Sequence, residues 1–332
     1  MGSKPFMTID DQVQRLHHRG LTIASPEKAK KILLRENYYN VINGYKMPFL
    51  KRNLDGTLSE PEEFTEGCRF EEVYSLHNID RELRILLLKY LLQFETHFKT
   101  LCAYHFSNKF REPYSYLNIG NYATDKEALS TVLRNIAGLS AEVNRNTNTT
   151  RPKSPYIAHY IRHHDSVPLW VLVNSLTIGN MSYFYDSIDQ NLKYTIAYDF
   201  SKQYKTDYSS REKIESGELS KLVQAVNLFR NVCAHEEVLY LFKLNKNVKP
   251  SIFKKFFKGD GIGSAEIEQS DLFAFIAVIK LILPKEEYLE LISGVKEIFD
   301  KYRTYFISIP FEEIIILSGF RPSWKSDIES NL

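Results

Sequence analysis

Hydrophobic residues recur at three- and four-residue steps over much of the chain, which is the period of an α-helix. The clearest case runs from about Phe70 to Phe106. Its apolar positions are Leu83, Leu87, Tyr90, Leu91, Phe94, Phe98, Leu101 and Cys102. Its polar flank carries Arg81, Arg84, Glu95 and Lys99. This pattern predicts one long helix that buries an apolar stripe in a core.

Shorter stretches with the same period predict further helices. Ser25-Pro26-Glu27 is a typical helix start, since it combines a capping hydroxyl, a proline in the first turn and an acid near the positive end of the helix dipole. That helix would run to about Asn37. Further helices are predicted over residues 168–176, 192–200, 219–235, 271–283 and 286–306. Clear strand alternation is confined to short segments, so we predict a mainly all-α bundle of about six to nine helices.

Polar and glycine-containing stretches separate these helices. Residues 38–45 are typical of a helix or turn that ends at Gly44, and residues 51–63 of a loop or short hairpin. The Asn- and Thr-rich residues 144–154 are the best candidate for a mobile loop. Residues 319–324 are predicted to be a loop with one tryptophan, and Trp170 is expected in the core.

The chain of 332 residues can hold one large domain or two of ordinary size. We place an N-terminal helical segment over residues 1–69 and a helical core over residues 70–240. A basic segment and C-terminal helices packed on the core would follow over residues 241–332. A content of 43% hydrophobic and 25% charged residues is ordinary for a globular protein.

Charge and cysteine content narrow the possible functions. The net charge of +2 does not identify a nucleic-acid-binding protein, so only the local charge distribution can. Three widely separated cysteines argue against a disulfide framework and favour the cytoplasm. The apolar runs are too short to span a bilayer. Because no ligand set has metal-binding spacing and no phosphate-binding glycine loop is present, we expect neither metal nor cofactor.

The strongest candidate for chemistry is the end of the helix predicted over residues 219–235. Arg230 and His235 stand five positions apart, about 140° around an ideal helix. Asn231 and His235 share a face. These residue types suit attack by a ribose 2′-hydroxyl on its own phosphate. His would move the protons, Arg would bind the phosphate charge and Asn would orient either group.

A structural interpretation competes with the catalytic one, because Arg and His near a helix C-terminus also interact favourably with the helix dipole. A second basic feature lies downstream, where residues 241–258 contain no acid and have phenylalanines between the lysines. The lysines of this stretch are Lys243, Lys246, Lys249, Lys254, Lys255 and Lys258. The mixture suits RNA phosphates and stacked bases, or else a solvated edge. Lys28 and Lys31 lie on another basic helix face with the same two interpretations.

Five sequence blocks, in order, resemble the abortive-infection (Abi) family of the AbiD and AbiF kind. The blocks are residues 38–49 with Asn43-Gly44-Tyr45 and Pro48-Phe49, residues 70–84 with Asp80 and Leu83-Arg84, Pro168-Leu169-Trp170 with Gly179, residues 230–235, and Gly319-Phe320-Arg321-Pro322-Ser323-Trp324. The fourth block, Arg230-Asn231-x-x-x-His235, resembles the R-x4-6-H signature of HEPN domains. The resemblance covers nearly the whole chain.

This resemblance implies a helical HEPN-like fold and a role in phage defence in which infected cells are halted. It implies an endoribonuclease whose cleft combines two such motifs, hence a homodimer, with a bound non-coding RNA in some branches. By the same resemblance Glu95 would neighbour His235. One departure is that Glu236-Glu237 follows His235 where the family has an arginine nearby, which would weaken phosphate binding.

Three hypotheses follow from the sequence. The first is a metal-independent HEPN endoribonuclease that uses Arg230, Asn231 and His235 and leaves 2′,3′-cyclic phosphate ends. The second is a non-catalytic RNA-binding effector that holds a structured non-coding RNA on the same surface. The third is a protein-interaction module in which the basic stretch is incidental.

Overall fold

The protein is described by a computed structural model over residues 5–147, 151–244, 254–257, 262, 264–330 and 332. Its α-helices are α1 (Ile9–His18), α2 (Pro26–Glu36), α3 (Phe70–Lys109), α4 (Leu129–Asn144), α5 (Pro155–His163), α6 (Leu169–Leu172), α7 (Ile178–Ser187), α8 (Gln190–Tyr208), α9 (Ser216–Ala234), α10 (Ser264–Glu268), α11 (Leu272–Ile279), α12 (Lys285–Tyr302), α13 (Phe311–Ile316) and α14 (Trp324–Glu329). Extended pairing in these ranges is limited to isolated bridges. The all-α prediction is confirmed.

Helix α3 organises the fold. It contacts α6, α7, α8, α9 and α12. At its start Glu72 is fully buried and accepts hydrogen bonds from its own capping residue and from the amide of Ser308. Glu72 therefore stabilises the first turn of α3 and also fixes the segment that follows α12 against it. The predicted helix over residues 70–106 is confirmed and ends three residues later.

The described residues form more helices than the six to nine predicted from the sequence, and α4 shows why. Four residues of α4 are buried, of which Val132 and Leu139 are apolar and Asn135 and Glu142 are polar. Half of the buried face is thus polar, so the apolar period that marks the other helices is interrupted. Where the period is complete, as in α2, the prediction is confirmed to the capping residue, because Ser25 Oγ accepts the Lys28 amide at 3.4 Å.

The segments between the helices are close to the expected ones. Residues Tyr39–Asn43 form a π-helical turn that ends at Gly44. In the 51–63 stretch the bridges Leu50–Phe64 and Arg52–Leu58 correspond to the hairpin alternative. The predicted loop over residues 144–154 lies partly outside the described residues. The prediction of a loop at Trp324 is wrong, since Trp324 is buried and opens α14.

The expectation that residues 168–176 form a buried helix with Trp170 in the core is wrong. Helix α6 covers only Leu169–Leu172 and is followed by a 3-10 turn. Leu169, Leu172 and Val173 are buried against α3, whereas Trp170 is 56% exposed. Positions three and four apart share a helix face, so three apolar neighbours on the core side turn Trp170 outward.

The core is shared by the three predicted segments. One cluster of buried residues includes Leu33 of α2, Phe94 of α3 and Phe299 of α12. Domain boundaries at residues 69 and 240 remain a prediction. None of the helices in the described ranges has the length and apolar content needed to cross a membrane.

Gly319 ends α13 in a conformation that a side chain would disturb. The Gly319 amide donates to Ile316 at 2.9 Å and the Phe320 amide to Ile315 at 3.1 Å. This is a Schellman-type helix end, in which Gly319 has φ +88°. A Cβ atom there would lie 2.3 Å from the carboxylate of buried Asp271, which caps α11.

We expect Gly319→Ala to lower the free energy of unfolding by about 2–4 kcal/mol, from left-handed strain and overpacking together. Urea titration followed by circular dichroism measures this loss. Gly138→Ala is the matched control, because Gly138 lies within α4 with open space around its Cβ position. It should raise stability by about 0.5–1 kcal/mol. Equal effects of the two substitutions would contradict the assigned clash.

Candidate functional site

Helix α9 presents the three motif residues at its C-terminal end. Its buried residues are Leu219, Leu222, Val223, Ala225, Val226, Phe229, Val232 and Cys233. Phe229 stacks on Phe275 of α11 with ring centroids 3.8 Å apart, which fixes this face of the helix. Arg230 and Asn231 lie half-buried at the edge of that face, and His235 is exposed as the C-terminal capping residue.

The chain turns sharply directly after His235. The His235 amide donates to the Asn231 carbonyl at 2.9 Å, and the Glu237 amide reaches back to Val232 at 3.1 Å. Glu236, between them, is in the left-handed region with φ 57°. A non-glycine residue in that conformation costs about 1–2 kcal/mol, so the surrounding structure must stabilise the turn. The hydrogen bonds that follow His235 in the chain do so.

Asp80 of α3 holds the segment that follows the turn. Its carboxylate accepts the amides of Leu239 at 3.1 Å and Tyr240 at 2.7 Å. Asp80 is fully buried and forms an ion pair with Arg84, one helical turn away. Burial raises the pKa of the Asp80 carboxyl, and the charge of Arg84 together with its hydrogen bonds opposes that rise. A buried carboxylate with this many donors is well satisfied.

Arg84 also binds the segment that follows His235. Its Nη1 donates to the carbonyl of Glu237 at 3.0 Å as well as to Asp80. Tyr45 is bonded to both partners, since its hydroxyl donates to Asp80 at 2.7 Å and accepts from Arg84 at 3.0 Å. Burial is the main cause of a raised pKa for Tyr45, which keeps its hydroxyl protonated. We call Tyr45, Asp80 and Arg84 the buried triad.

Four of the five sequence blocks contribute residues to α9 or to contacts with it and with the residues that follow it, and the fifth lies next to such a contact. The buried triad comes from the first two blocks. Gly179 of the third lies close to α9, since a Cβ there would be 3.2 Å from Asn227 Oδ1. Beside the fifth block, Ser318 Oγ donates to the Tyr240 carbonyl at 3.1 Å. Residues remote in sequence thus contact α9 or the segment that follows His235.

Arg230 faces an acid and a second cation. Its Nε lies 3.5 Å from Glu95 Oε2, and Lys99 Nζ lies 2.7 Å from Glu95 Oε1. The Arg230 Nε and Glu95 Oε2 atoms are both buried, yet neither has a hydrogen bond to a described residue, and their 3.5 Å separation is longer than a usual hydrogen bond. Buried polar atoms without hydrogen bonds are uncommon and often mark functional positions.

The acid Glu95 forms ion pairs with Arg230 and Lys99, and its proximity to His235 remains a prediction. The three motif side chains are not joined to one another. In the described ranges no side-chain hydrogen bond links Arg230, Asn231 and His235. The side chain of His235 makes no ion pair there. An exposed imidazole with unengaged nitrogens is available to exchange protons with a ligand.

A groove of about 580 Å³ lies beside the turn after His235. We call it the Arg84 groove, and its lining includes His77, Arg84, Glu236, Val238 and Lys243. Burial lowers the pKa of His77 to about 4. His77 is therefore neutral at physiological pH and less suited than His235 to act as a proton donor.

The predicted RNA-binding lysines fall into three groups. Lys243, Lys28 and Lys31 are exposed and make no ion pair with other described residues. Lys254 and Lys255 pair with acids of the protein, at 2.5 Å to Glu268 and 2.8 Å to Glu218. These pairs partly neutralise both cations. Lys246, Lys249 and Lys258 lie outside the described residues.

Other chemistries have little support at this site. Cys233 precedes His235 by two positions, but it is buried, and burial raises its thiol pKa to about 12. It is therefore a poor nucleophile. Across the described residues no group of three or more His, Cys, Asp and Glu side chains is placed to hold a metal ion.

Comparison with known proteins identifies a family. A family model described as Abi-like protein matches residues 31–241. That span runs from within α2 to the residues clamped by the buried triad, and it contains the whole motif from Arg230 to His235. No curated protein and no solved structure matches the chain.

Proposed function

Since this chain belongs to the Abi-like protein family and is thus a bacterial abortive-infection protein, we propose that it acts by cleaving RNA. The reaction is attack of a ribose 2′-hydroxyl on the adjacent phosphate, which expels the 5′-oxygen of the next nucleotide. It leaves a 2′,3′-cyclic phosphate and a 5′-hydroxyl. RNA supplies its own nucleophile, so the protein needs only proton transfer and charge stabilisation.

The side chains at the end of α9 fit those two tasks. The exposed imidazole of His235 would take the 2′-hydroxyl proton or give one to the leaving oxygen. The guanidinium of Arg230 would bind the phosphate as its charge increases. The observation that carries the proposal is the Arg230 Nε atom, which is buried beside Glu95 without a hydrogen bond to any described residue. A phosphate oxygen would satisfy the guanidinium better than the present contact does.

A homodimer is part of this proposal. HEPN ribonucleases, which the motif resembles, combine two copies of the motif in one cleft, and this chain has one. His235 is exposed rather than enclosed, as a residue that faces a second copy would be. Asn231, half-buried four positions before it, would then orient the imidazole or the phosphate.

A second candidate function is RNA binding without cleavage. Glu236 and Glu237 are both exposed directly beside His235. Two negative charges there oppose a bound phosphate and reduce the stabilisation that Arg230 can give. In this alternative, the same surface holds a structured non-coding RNA, with Lys243, Lys28 and Lys31 as phosphate contacts.

Incubation of the purified protein with RNA in the presence of EDTA tests the proposal. We expect fragments with 2′,3′-cyclic phosphate and 5′-hydroxyl ends, and no cut at a site whose 2′-hydroxyl is replaced by hydrogen. RNA that binds with strong salt dependence but stays intact would favour the second candidate. Absence of both binding and cleavage would overturn both.

A further inference from the structure

A groove with exposed aromatic rings lies apart from the Arg84 groove. It has a volume of about 760 Å³, within the range of sites for small ligands. Residues 96–108 of α3 form one side, and residues 110–116 and 166–174 form the others. We call it the Trp170 groove.

Two rings stand exposed on its walls, Trp170 at 56% and Tyr104 at 63%. Trp170 owes its position to the packing of α6, which directs Leu169 and Leu172 inward. Asn174, four residues further on, shares its face, and its amide donates to the Trp170 carbonyl at 3.0 Å. The same nitrogen also donates to the Val171 carbonyl at 3.2 Å, so the exposed indole and the Asn174 amide oxygen offer a stacking surface and a hydrogen-bond acceptor to a planar polar ligand.

A buried hydrogen bond joins two walls of this groove. The Tyr116 hydroxyl donates to the Val167 carbonyl at 2.8 Å, which joins the loop after α3 to the segment that carries Trp170. Tyr116 and Val167 are both buried. The groove therefore exists before a ligand arrives, which lowers the entropic cost of binding.

Positive charge connects this groove to Arg230. Lys99 lines it, and its ammonium pairs with Glu95, the same acid that contacts Arg230. Arg111, at the other end, is exposed and bonded only to Asn108 among the described residues. Together with Arg230, these cations number three against two acids, Glu95 and Glu112, which leaves one positive charge in excess. Along this wall Lys99 comes first, then the exposed ring of Tyr104, then Arg111.

We propose that the Trp170 groove binds an unpaired nucleotide of the RNA, with its base stacked on the Trp170 indole and the neighbouring phosphates near Lys99 and Arg111. This rests on the proposed action on RNA and adds its substrate class, since a stacking surface accepts single strands and excludes paired bases. A duplex keeps its bases stacked on each other, so it would not reach the indole.

The two tryptophans of the chain allow a direct test, since Trp170 is exposed and Trp324 is 3% exposed. Trp324→Phe leaves Trp170 as the only tryptophan, and Trp170→Phe leaves Trp324, so selective excitation of tryptophan reports on one ring in each variant. The probe is a short single-stranded RNA methylated at its 2′-oxygens, which cannot be cleaved. We expect it to quench the emission of the Trp324→Phe variant and not that of Trp170→Phe.

Affinity gives a second measurement. Trp170→Ala should weaken binding of the single strand about tenfold, whereas Trp170→Phe should retain part of the affinity. Tyr194→Ala is the matched control, because Tyr194 is 53% exposed on α8, outside the groove. It should leave the affinity unchanged.

The outcomes separate the two proposals. If the protein binds or cleaves RNA but Trp170→Ala and Tyr194→Ala have equal affinities, the assignment of the Trp170 groove is wrong and the proposed function stands. Equal affinity for single-stranded and duplex RNA, with unquenched Trp170 emission, would also overturn it. If no RNA binds under any condition, both proposals fail, and the exposed ring is then better explained as a protein contact.

Discussion

Replacing His235 with alanine is expected to reduce RNA cleavage at least about 100-fold while RNA affinity stays close to that of the wild type. General acid and base catalysis by a positioned side chain contributes about 10²–10⁴ in rate. The side chain is exposed and without an ion pair in the described ranges, so its removal leaves no buried group unsatisfied. Single-turnover cleavage of end-labelled RNA at saturating protein concentration measures the chemical step apart from binding.

His164 provides a matched control for this result. It caps the C-terminus of α5 as His235 caps that of α9, and it too is exposed. If His235 serves only as a favourable partner of the helix dipole, the two alanine variants should each lose about 0.3–1 kcal/mol of stability, and cleavage should not distinguish them. A large loss of cleavage in His235→Ala alone supports catalysis, and equal cleavage by both variants contradicts it.

The sequence predicted the elements that carry the candidate site better than the contacts that position it. The helix with Arg230 at its end follows from apolar periodicity, and α9 matches that prediction within three residues at its start. Asp80 and Arg84 stand four apart on a predicted helix, so their pairing is also readable. The backbone groups that this pair binds cannot be predicted from the sequence, because the Leu239 amide is 159 positions away from Asp80 along the chain. Helical periodicity reports only which residues face inward.

Prediction from the sequence also failed for short helices. Trp170 lies in an apolar run, and an aromatic residue in such a run is usually buried. Helix α6 spans only four residues, which is about one turn and too short for a period to show which side faces the core. The exposed ring, and with it the Trp170 groove, therefore became visible only in the folded protein.

The largest effect on stability is expected from the buried triad. Asp80 is fully buried, and the side chain of Arg84 is 5% exposed. Removing one member of such a pair leaves an uncompensated charge in the interior, which costs about 3–5 kcal/mol. Globular proteins have a total stability of about 5–15 kcal/mol. We therefore expect Asp80→Ala to remove a large part of the free energy of unfolding, as measured by urea titration.

A surface control and a double variant test whether the buried triad itself accounts for the loss of stability and for the position of His235. Asp10 pairs with Lys30 at 2.6 Å on the surface, where its side chain is 67% exposed, so Asp10→Ala should cost about 1 kcal/mol or less. Asp80→Ala combined with Arg84→Met should be less destabilising than Asp80→Ala alone, because no buried charge remains. Both variants release the amides of Leu239 and Tyr240, so the turn after His235 loses its support in each. We therefore expect RNA cleavage to stay low in the double variant even where its stability recovers. If cleavage recovers together with stability, the buried triad does not position His235.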